Sequence, residues 1–275
     1  MASISTQELM QIALELAGMH QVPADSAVYV SGDGLRRLLV GIDVGPAELL
    51  IARELGCDGV LAHHPAGGSA TLRFPEVLTR HIDLMVEHGV PREVAREAVG
   101  PLISRAVLRA QAANYDHVPS FARLLRMPFL NIHLPLDELG RRIMVAAIER
   151  HLAALGREAV VQDVVDALVT LPELAAAPTT VMVPVGAVDR PAGKVAVVHG
   201  AGTNGGAAVA KAYFEHGVST VVYIHLAPEE AERLRSEGRG NLVVAGHIAA
   251  DRIGINRYLA ELEARGLELV RASGV

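Results

Sequence analysis

The run Leu38-Leu-Val-Gly-Ile-Asp43, a helix-length segment opened by Pro46 and stopped at Gly56, and the run Gly59-Val-Leu-Ala62 read as strand, helix and strand. Strands joined by a crossover helix lie parallel. Proline suits the first turn of such a helix and glycine its exit. This unit constrains the fold most, because a parallel sheet needs helices over its faces. The alternation then repeats. Apolar runs at 127–133, 181–185, 194–199, 220–224, 241–245 and 267–270 are interleaved with helical periods at 136–155, 160–177, 207–214, 228–236 and 249–265. An opening helix spans Thr6 to Ala17, capped by Ser5 or Thr6. Residues 75–87 read as one helix, and 93–113 as another that breaks at Pro101. Pro184 places the run 181–185 at a sheet edge.

The expected fold is therefore α/β, with two similar three-layer α/β halves and mostly parallel sheets. The first half is expected over 1–155 and the second over 156–275, with Ala175-Ala-Ala-Pro178 as the most linker-like stretch.

Composition narrows the function. With 51% hydrophobic residues and a mean hydropathy of +0.30, the chain can bury a large core. A net charge of −6 argues against a footprint for nucleic-acid phosphates. The absence of Trp and 3% aromatic content leave few platforms for stacking bases. The single cysteine, Cys57, excludes an internal disulfide framework and reads as a small buried residue. No apolar stretch reaches the roughly 20 residues of a membrane helix. The opening Met-Ala-Ser-Ile-Ser-Thr lacks the basic and apolar regions of a signal peptide. A cytoplasmic protein with a small-molecule partner is expected, rather than one that binds nucleic acid or membrane.

Chemistry collects at three strand ends. One is His63-His64-Pro65, where proline stops the strand; the others are His133-Leu-Pro-Leu-Asp137 and Gly246-His247-Ile-Ala-Ala-Asp251. Taken alone, His63-His64 reads equally as strand caps bonded to backbone carbonyls, His133 and Asp137 read as a turn histidine and an N-cap aspartate, and His247 and Asp251 read more readily as a cap and a surface charge than as ligands. Strand ends of one parallel sheet share an edge where ligands bind, and imidazole is the commonest metal ligand. A helix starting after Gly246 puts His247 and Asp251 at i and i+4, on one face. Adjacent histidines point in different directions and suit two metals better than one. A carboxylate such as Asp137 can bridge ions about 3.5–4 Å apart. His81 and His88 read as ordinary surface histidines.

Gly200-Ala-Gly202-Thr-Asn204-Gly205-Gly206 matches G-x-G-x-x-G after a strand and before a helix. The next strand ends in His225, where a dinucleotide fold wants an acidic residue, which argues against NAD. Gly202, Asn204 and Gly205 either hold an anion at the helix N-terminus or only permit close packing.

The double histidine, His133-x-x-x-Asp137 and the late Gly246-His247-x-x-x-Asp251, in this order and at these distances, resemble the NGG-interacting-factor-three-like family. Many of its members carry the label GTP cyclohydrolase type 2 homologue. The resemblance runs from the strand at 38–43 to the last helix. It implies two divalent metals between the two α/β halves, held by His63, His64, Asp137, His247 and Asp251, with His133 as a nearby pocket histidine. It also implies a homohexameric ring built from dimers.

The chain departs from the family pattern at several places. Asp251 stands where the family has glutamate, the polar middle of His-Thr-Asn-x-Asp is Leu-Pro-Leu, a Thr-Gly-Asp is replaced near Tyr223-Ile-His225, and an early Trp-Asp is missing. The expected function is a metal-dependent hydrolase of a small, anionic, phosphorylated or nucleotide-like substrate. His133 would move a proton, and the metal could be Zn, Fe, Mn, Ni or Co. The alternative is a non-enzymatic metal-binding ring serving as a regulatory or interaction scaffold.

Overall fold

The computed structural model describes residues 3–275. The chain runs α1 (Thr6–Ala17), β1 (Ala27–Val30), β2 (Arg37–Gly41), α2 (Pro46–Glu54), β3 (Gly59–Ala62), α3 (Gly68–Leu72), α4 (Phe74–Val77), α5 (Arg80–Glu87) and α6 (Arg92–Ala112). There follow α7 (His117–Leu125), β4 (Phe129–Asn131), α8 (Leu134–Ala153), α9 (Val161–Val169), α10 (Pro172–Ala175), β5 (Met182–Val185) and β6 (Val195–Val197). The last elements are α11 (Gly206–Glu215), β7 (Thr220–Tyr223), α12 (Pro228–Glu237), β8 (Asn241–Val244), α13 (His247–Ala264) and β9 (Glu268–Arg271).

These elements form two compact units, each interrupted in sequence. The first takes the chain up to Val77, Arg105–Leu139 and Gly254–Val275; the second takes Leu78–Ser104 and Gly140–Ile253. They are not the consecutive pieces 1–155 and 156–275, because the last strand returns to the sheet of the first unit and α5 packs in the core of the second.

The first unit's sheet has the order β1-β4-β3-β2-β9, with β1 antiparallel to β4 and the other pairs parallel. Alternate residues along the strands face opposite ways. Leu38, Val40, Leu61 and Leu130 meet Leu9 and Leu14 of α1 and Tyr258 and Leu262 of α13. Leu39, Val60, Ala62 and Phe129 meet Leu49 and Ala52 of α2 and Val118 and Ala122 of α7. Both faces are thus covered, giving three layers. Each fully buried leucine contributes about 1.5–3 kcal/mol. At the entry of α1, Ser5 Oγ accepts from Glu8 N–H at 3.1 Å, and the Glu8 carboxylate accepts from Ser5 N–H at 2.7 Å.

The second unit repeats the scheme with the order β5-β8-β7-β6. Val197, Val222 and Val243 meet Met144 and Ile148 of α8 and Val164 and Leu168 of α9. Ala196, Val221 and Leu242 meet Met85 of α5, Val209 and Tyr213 of α11 and Leu234 of α12. β5 is the antiparallel edge strand that Pro184 requires.

Local expectations fail at three points. α6 continues through Pro101; packing of Ala95 and Val99 ahead of the proline offsets the roughly 3 kcal/mol that an interior proline costs. The stretch 75–87 is two helices, α4 and α5, because the chain leaves the first unit between Val77 and Leu78. His81 is wholly buried rather than on the surface, and His88 is half-buried with Nδ1 2.9 Å from Leu84 O. Cys57 is buried as expected, and burial raises its thiol pKa.

Candidate metal centre and the strand-end histidines

β3 places the first pair of imidazoles. Its ladder runs past the strand, with His63 N–H donating to Gly41 O and His64 N–H to Ile42 O. Two consecutive N–H groups turned to the same neighbouring strand break the regular alternation here; His63 is buried and His64 half-buried. Pro65 then ends the strand. The following turn needs Gly67 at φ 154°, because a Cβ there would meet Tyr115 O at 2.5 Å and the Pro119 ring at 2.7 Å. β4, beside β3, delivers His133 two residues beyond its end. The ring centroids of His63 and His64 are 5.1 Å apart, those of His63 and His133 4.9 Å, and those of His64 and His133 5.6 Å.

Each ring is held by its Nδ1. His63 Nδ1 faces Ile132 O at 3.0 Å, His64 Nδ1 faces Asp43 Oδ1 at 2.8 Å, and His133 Nδ1 faces Asp25 Oδ2 at 2.7 Å. All three partners are oxygen acceptors, so in each case Nδ1 carries the proton. The neutral ring then keeps its lone pair on Nε2, the state of a metal-ligating histidine with a carbonyl or carboxylate behind it.

Asp137, in the first turn of α8, faces the same rings. Its Oδ1 lies 3.1 Å from His63 Nε2 and its Oδ2 3.6 Å from His133 Nε2. Asp137 and His63 are 4% and 2% exposed, so a bare carboxylate here would be costly. Lone pairs on nitrogen and oxygen repel at this range unless a proton or a metal cation lies between them. The donor set fits a divalent metal, and one donor nitrogen from each of His63, His64 and His133 lies within 4.8 Å of the others.

A polar frame secures these positions. Asn131 Nδ2 donates to Asp25 O at 2.8 Å and to His63 O at 3.3 Å, and its Oδ1 accepts from Tyr29 OH at 2.7 Å. Tyr29 OH in turn accepts from Ala66 N–H at 3.0 Å, and burial pushes its pKa far above the phenol range, so it stays protonated. Ser26 Oγ accepts from His133 N–H at 3.0 Å.

The second unit carries its own strand-end set. His199 follows β6, His225 follows β7 and His247 follows β8. Gly246, at φ 104°, lets α13 start at once. His247 and Asp251 stand at i and i+4 as expected, with His247 Nε2 3.3 Å from Asp251 Oδ2. The other oxygen, Oδ1, is 4.0 Å from His199 Nε2, and Asp251 is 2% exposed. The His225 ring lies 4.7 Å from that of His247.

The glycine-rich turn is folded onto its own side chains. Asn204 Nδ2 is 2.7 Å from His225 Nδ1, and Gly206 N–H donates to Asn204 Oδ1 at 2.9 Å. Arg80 Nε donates to Gly200 O at 2.7 Å. The Glu230 carboxylate accepts from Ala207 N–H, taking the place an anion would occupy at the start of α11. Gly202 and Gly205 shape the turn, and Gly205 packs where a Cβ would collide with Val209 at 2.3 Å.

No family sequence model and no curated protein matches the chain. Among solved structures it is similar to a NIF3 superfamily protein from Sphaerobacter thermophilus, with 69% identity over all of both chains and a TM-score of 0.98. The chain belongs to the NIF3 superfamily. More distant structures share the NIF3 fold alone. Reduced HcgD from Methanocaldococcus jannaschii has a TM-score of 0.59 at 11% identity, and the protein YbgI, described as of unknown function, 0.53 at 17%; each alignment covers 98% of both chains.

The family reading gave His63, His64, His133, Asp137, His247 and Asp251. The structure brings the first four together in one unit and the last two together in the other. It adds Asp43 and Asp25 behind the first set and His199 and His225 beside the second. Asp43, His199 and His225 ended recognised strands, so a signal existed. Asp25 lies before β1, a strand with no clear pattern, and carried none.

Proposed function

We propose that this NIF3 superfamily protein is a divalent-metal-dependent hydrolase of a small phosphorylated or nucleotide-like molecule. The observation that supports it most is the common orientation of His63, His64 and His133, with Nδ1 of each turned to an oxygen acceptor. In this reading two cations are held by His63, His64, Asp137, His247 and Asp251. When bound, such ions act as Lewis acids and lower the pKa of water toward neutrality. His133 accepts a proton at Nε2 from the attacking water, and the Asp25 carboxylate stabilises the resulting imidazolium.

Metal analysis of protein purified without chelator should find two ions per chain. Zn, Fe, Mn, Ni and Co each suit this donor set. The loaded protein should then turn over at least one member of a panel of phosphoesters and nucleotides, and a folded His63→Ala, His64→Ala variant should not. Metal binding without turnover across the panel would defeat the hydrolase and leave a metal-binding scaffold. One observation favours that second reading. Leu50 and Ile51 of α2, Leu55 directly after it, and Phe121 and Leu124 of α7 expose large apolar side chains, as self-associating proteins do. Assembly of six copies in a ring is part of the proposal, and light scattering of the purified chain tests it. Among the described residues no helix is long and apolar enough to cross a membrane.

A further inference from the structure

Beyond β9 the chain turns over the carboxyl end of β2, its parallel neighbour in the first unit's sheet. Ala272 N–H donates to Val40 O at 2.9 Å, and Ser273 O accepts from Ile42 N–H at 3.0 Å. Ser273 Oγ accepts from Asp43 N–H at 3.3 Å. Val275 N–H donates back to Ala272 O at 3.1 Å, and its side chain packs on the core beneath the sheet. Residues 272–275 thus form a turn fastened to three successive residues of the β2 end.

The turn holds its central residue in a costly conformation. Ser273 has φ 45°, in the left-handed region. Among the described residues Arg126 is the other non-glycine residue at positive φ, and it closes α7, where that conformation is usual. Ser273 closes no helix. Glycine would take the same φ without strain, so what serine adds at this place is its Oγ. That oxygen meets the N–H of Asp43, whose Oδ1 lies 2.8 Å from His64 Nδ1. The Asp43 side chain is 73% exposed. Packing therefore does not hold this carboxylate, and its place follows from the backbone that carries it.

We propose that Ser273 is a positioning residue of the metal centre, 209 residues from the imidazole that it sets. Its Oγ fixes the backbone of Asp43, and the Asp43 carboxylate fixes the ring of His64. The strain at Ser273 is the cost of presenting that oxygen. Outer groups behind a ligating histidine change metal affinity by restricting the ring to its binding orientation. The zinc part of this proposal rests on the metal-centre reading above; the link from Ser273 to His64 does not.

The test sets zinc affinity against thermal stability in variants of the full chain. Ser273→Gly relieves the strain and removes Oγ, so the metal-free protein should melt no lower while zinc binds about fivefold more weakly. Ser273→Asn, which tolerates the left-handed region and keeps an acceptor, should recover most of that affinity. Added to Asp43→Ala, Ser273→Gly should cost no further affinity, because no carboxylate remains to be placed. Native zinc affinity in Ser273→Gly, or the same fivefold loss on the Asp43→Ala background, would overturn the proposal. A chain that takes up no zinc refutes the metal centre instead, and the link is then decided on the metal-free protein. There the carbon-13 signal of the His64 ring should shift or broaden in Ser273→Gly while those of the other histidines stay native. A His64 signal unchanged by that substitution would overturn the link.

Discussion

Asp25 Oδ2 lies 2.7 Å from His133 Nδ1, and both side chains are buried. The pair holds the imidazole ring in one orientation and one tautomer. Removing the charge of Asp25 should weaken every function of His133 without emptying the core. Asp25→Asn keeps an acceptor oxygen but loses the carboxylate, and outer partners of this kind typically change metal affinity or activity by 10- to 100-fold. We expect at least a tenfold loss of turnover in Asp25→Asn at an unchanged melting temperature of the metal-free protein. Equal activity in the two proteins would remove Asp25 from the site.

Chelation should cost stability. A cation present at about 100 times its dissociation constant stabilises the folded chain by about 2.7 kcal/mol. For a chain of this size that corresponds to a rise of about 5 °C in melting temperature. Scanning calorimetry with and without EDTA reads this directly, and the difference should vanish in Asp137→Asn. A chelator shift that persists in that variant would mean the stabilising ion is bound elsewhere.

Gly67→Ala should be among the most damaging small changes in the first unit. Its φ is 154°, and Tyr115 O lies 2.5 Å from where the added methyl would sit, so the obstructing atom is backbone and cannot swing aside. A penalty of about 2–3 kcal/mol follows from strain and collision together. Urea denaturation should show it as a lowered midpoint. A loss below about 0.5 kcal/mol would mean that the turn after His64 relaxes freely.

His81 predicts an acid-sensitive second unit. Burial lowers its pKa from 6.5 to about 4, against a smaller opposing pull from the Thr203 backbone. The unfolded chain takes up a proton near pH 6.5, whereas the folded chain resists until about pH 4. The stabilisation is thus complete above pH 6.5 and is lost as pH falls from there toward 4. Between pH 7 and pH 5 the loss should be about 2 kcal/mol. In His81→Gln the loss of unfolding free energy over that interval, read from urea denaturation at each pH, should be smaller by this amount, and identical pH profiles would count against the assignment.

Much of the fold could be read from residue patterns, because alternating four-residue apolar runs and helical periods follow from local geometry. β2, β3, α2 and the i, i+4 placement of His247 and Asp251 are of this kind. What escaped depends on distant partners. His81 belongs to a charged, surface-like sequence and is buried only because α5 packs in the core of the second unit. Pro101 is tolerated through packing that its neighbours in sequence do not reveal. Asp25 and Asn131 acquire their roles from a hydrogen bond between residues 106 apart. The glycine-rich turn shows the converse, since a motif legible as an anion cradle folds with Glu230 in the anion's place.

β9 pairs with β2, and Ser273 Oγ accepts from the N–H of Asp43, a residue 230 positions earlier. A ribosome therefore releases β2 long before its neighbour exists. Through most of synthesis that edge has no partner, and Asp43, which faces His64 Nδ1, lacks its backbone anchor. All four strands of the second unit emerge in the meantime, so its sheet can close while the first still waits. The unit that begins the sequence is the last to be finished, and the histidine pair it carries becomes fully seated only then.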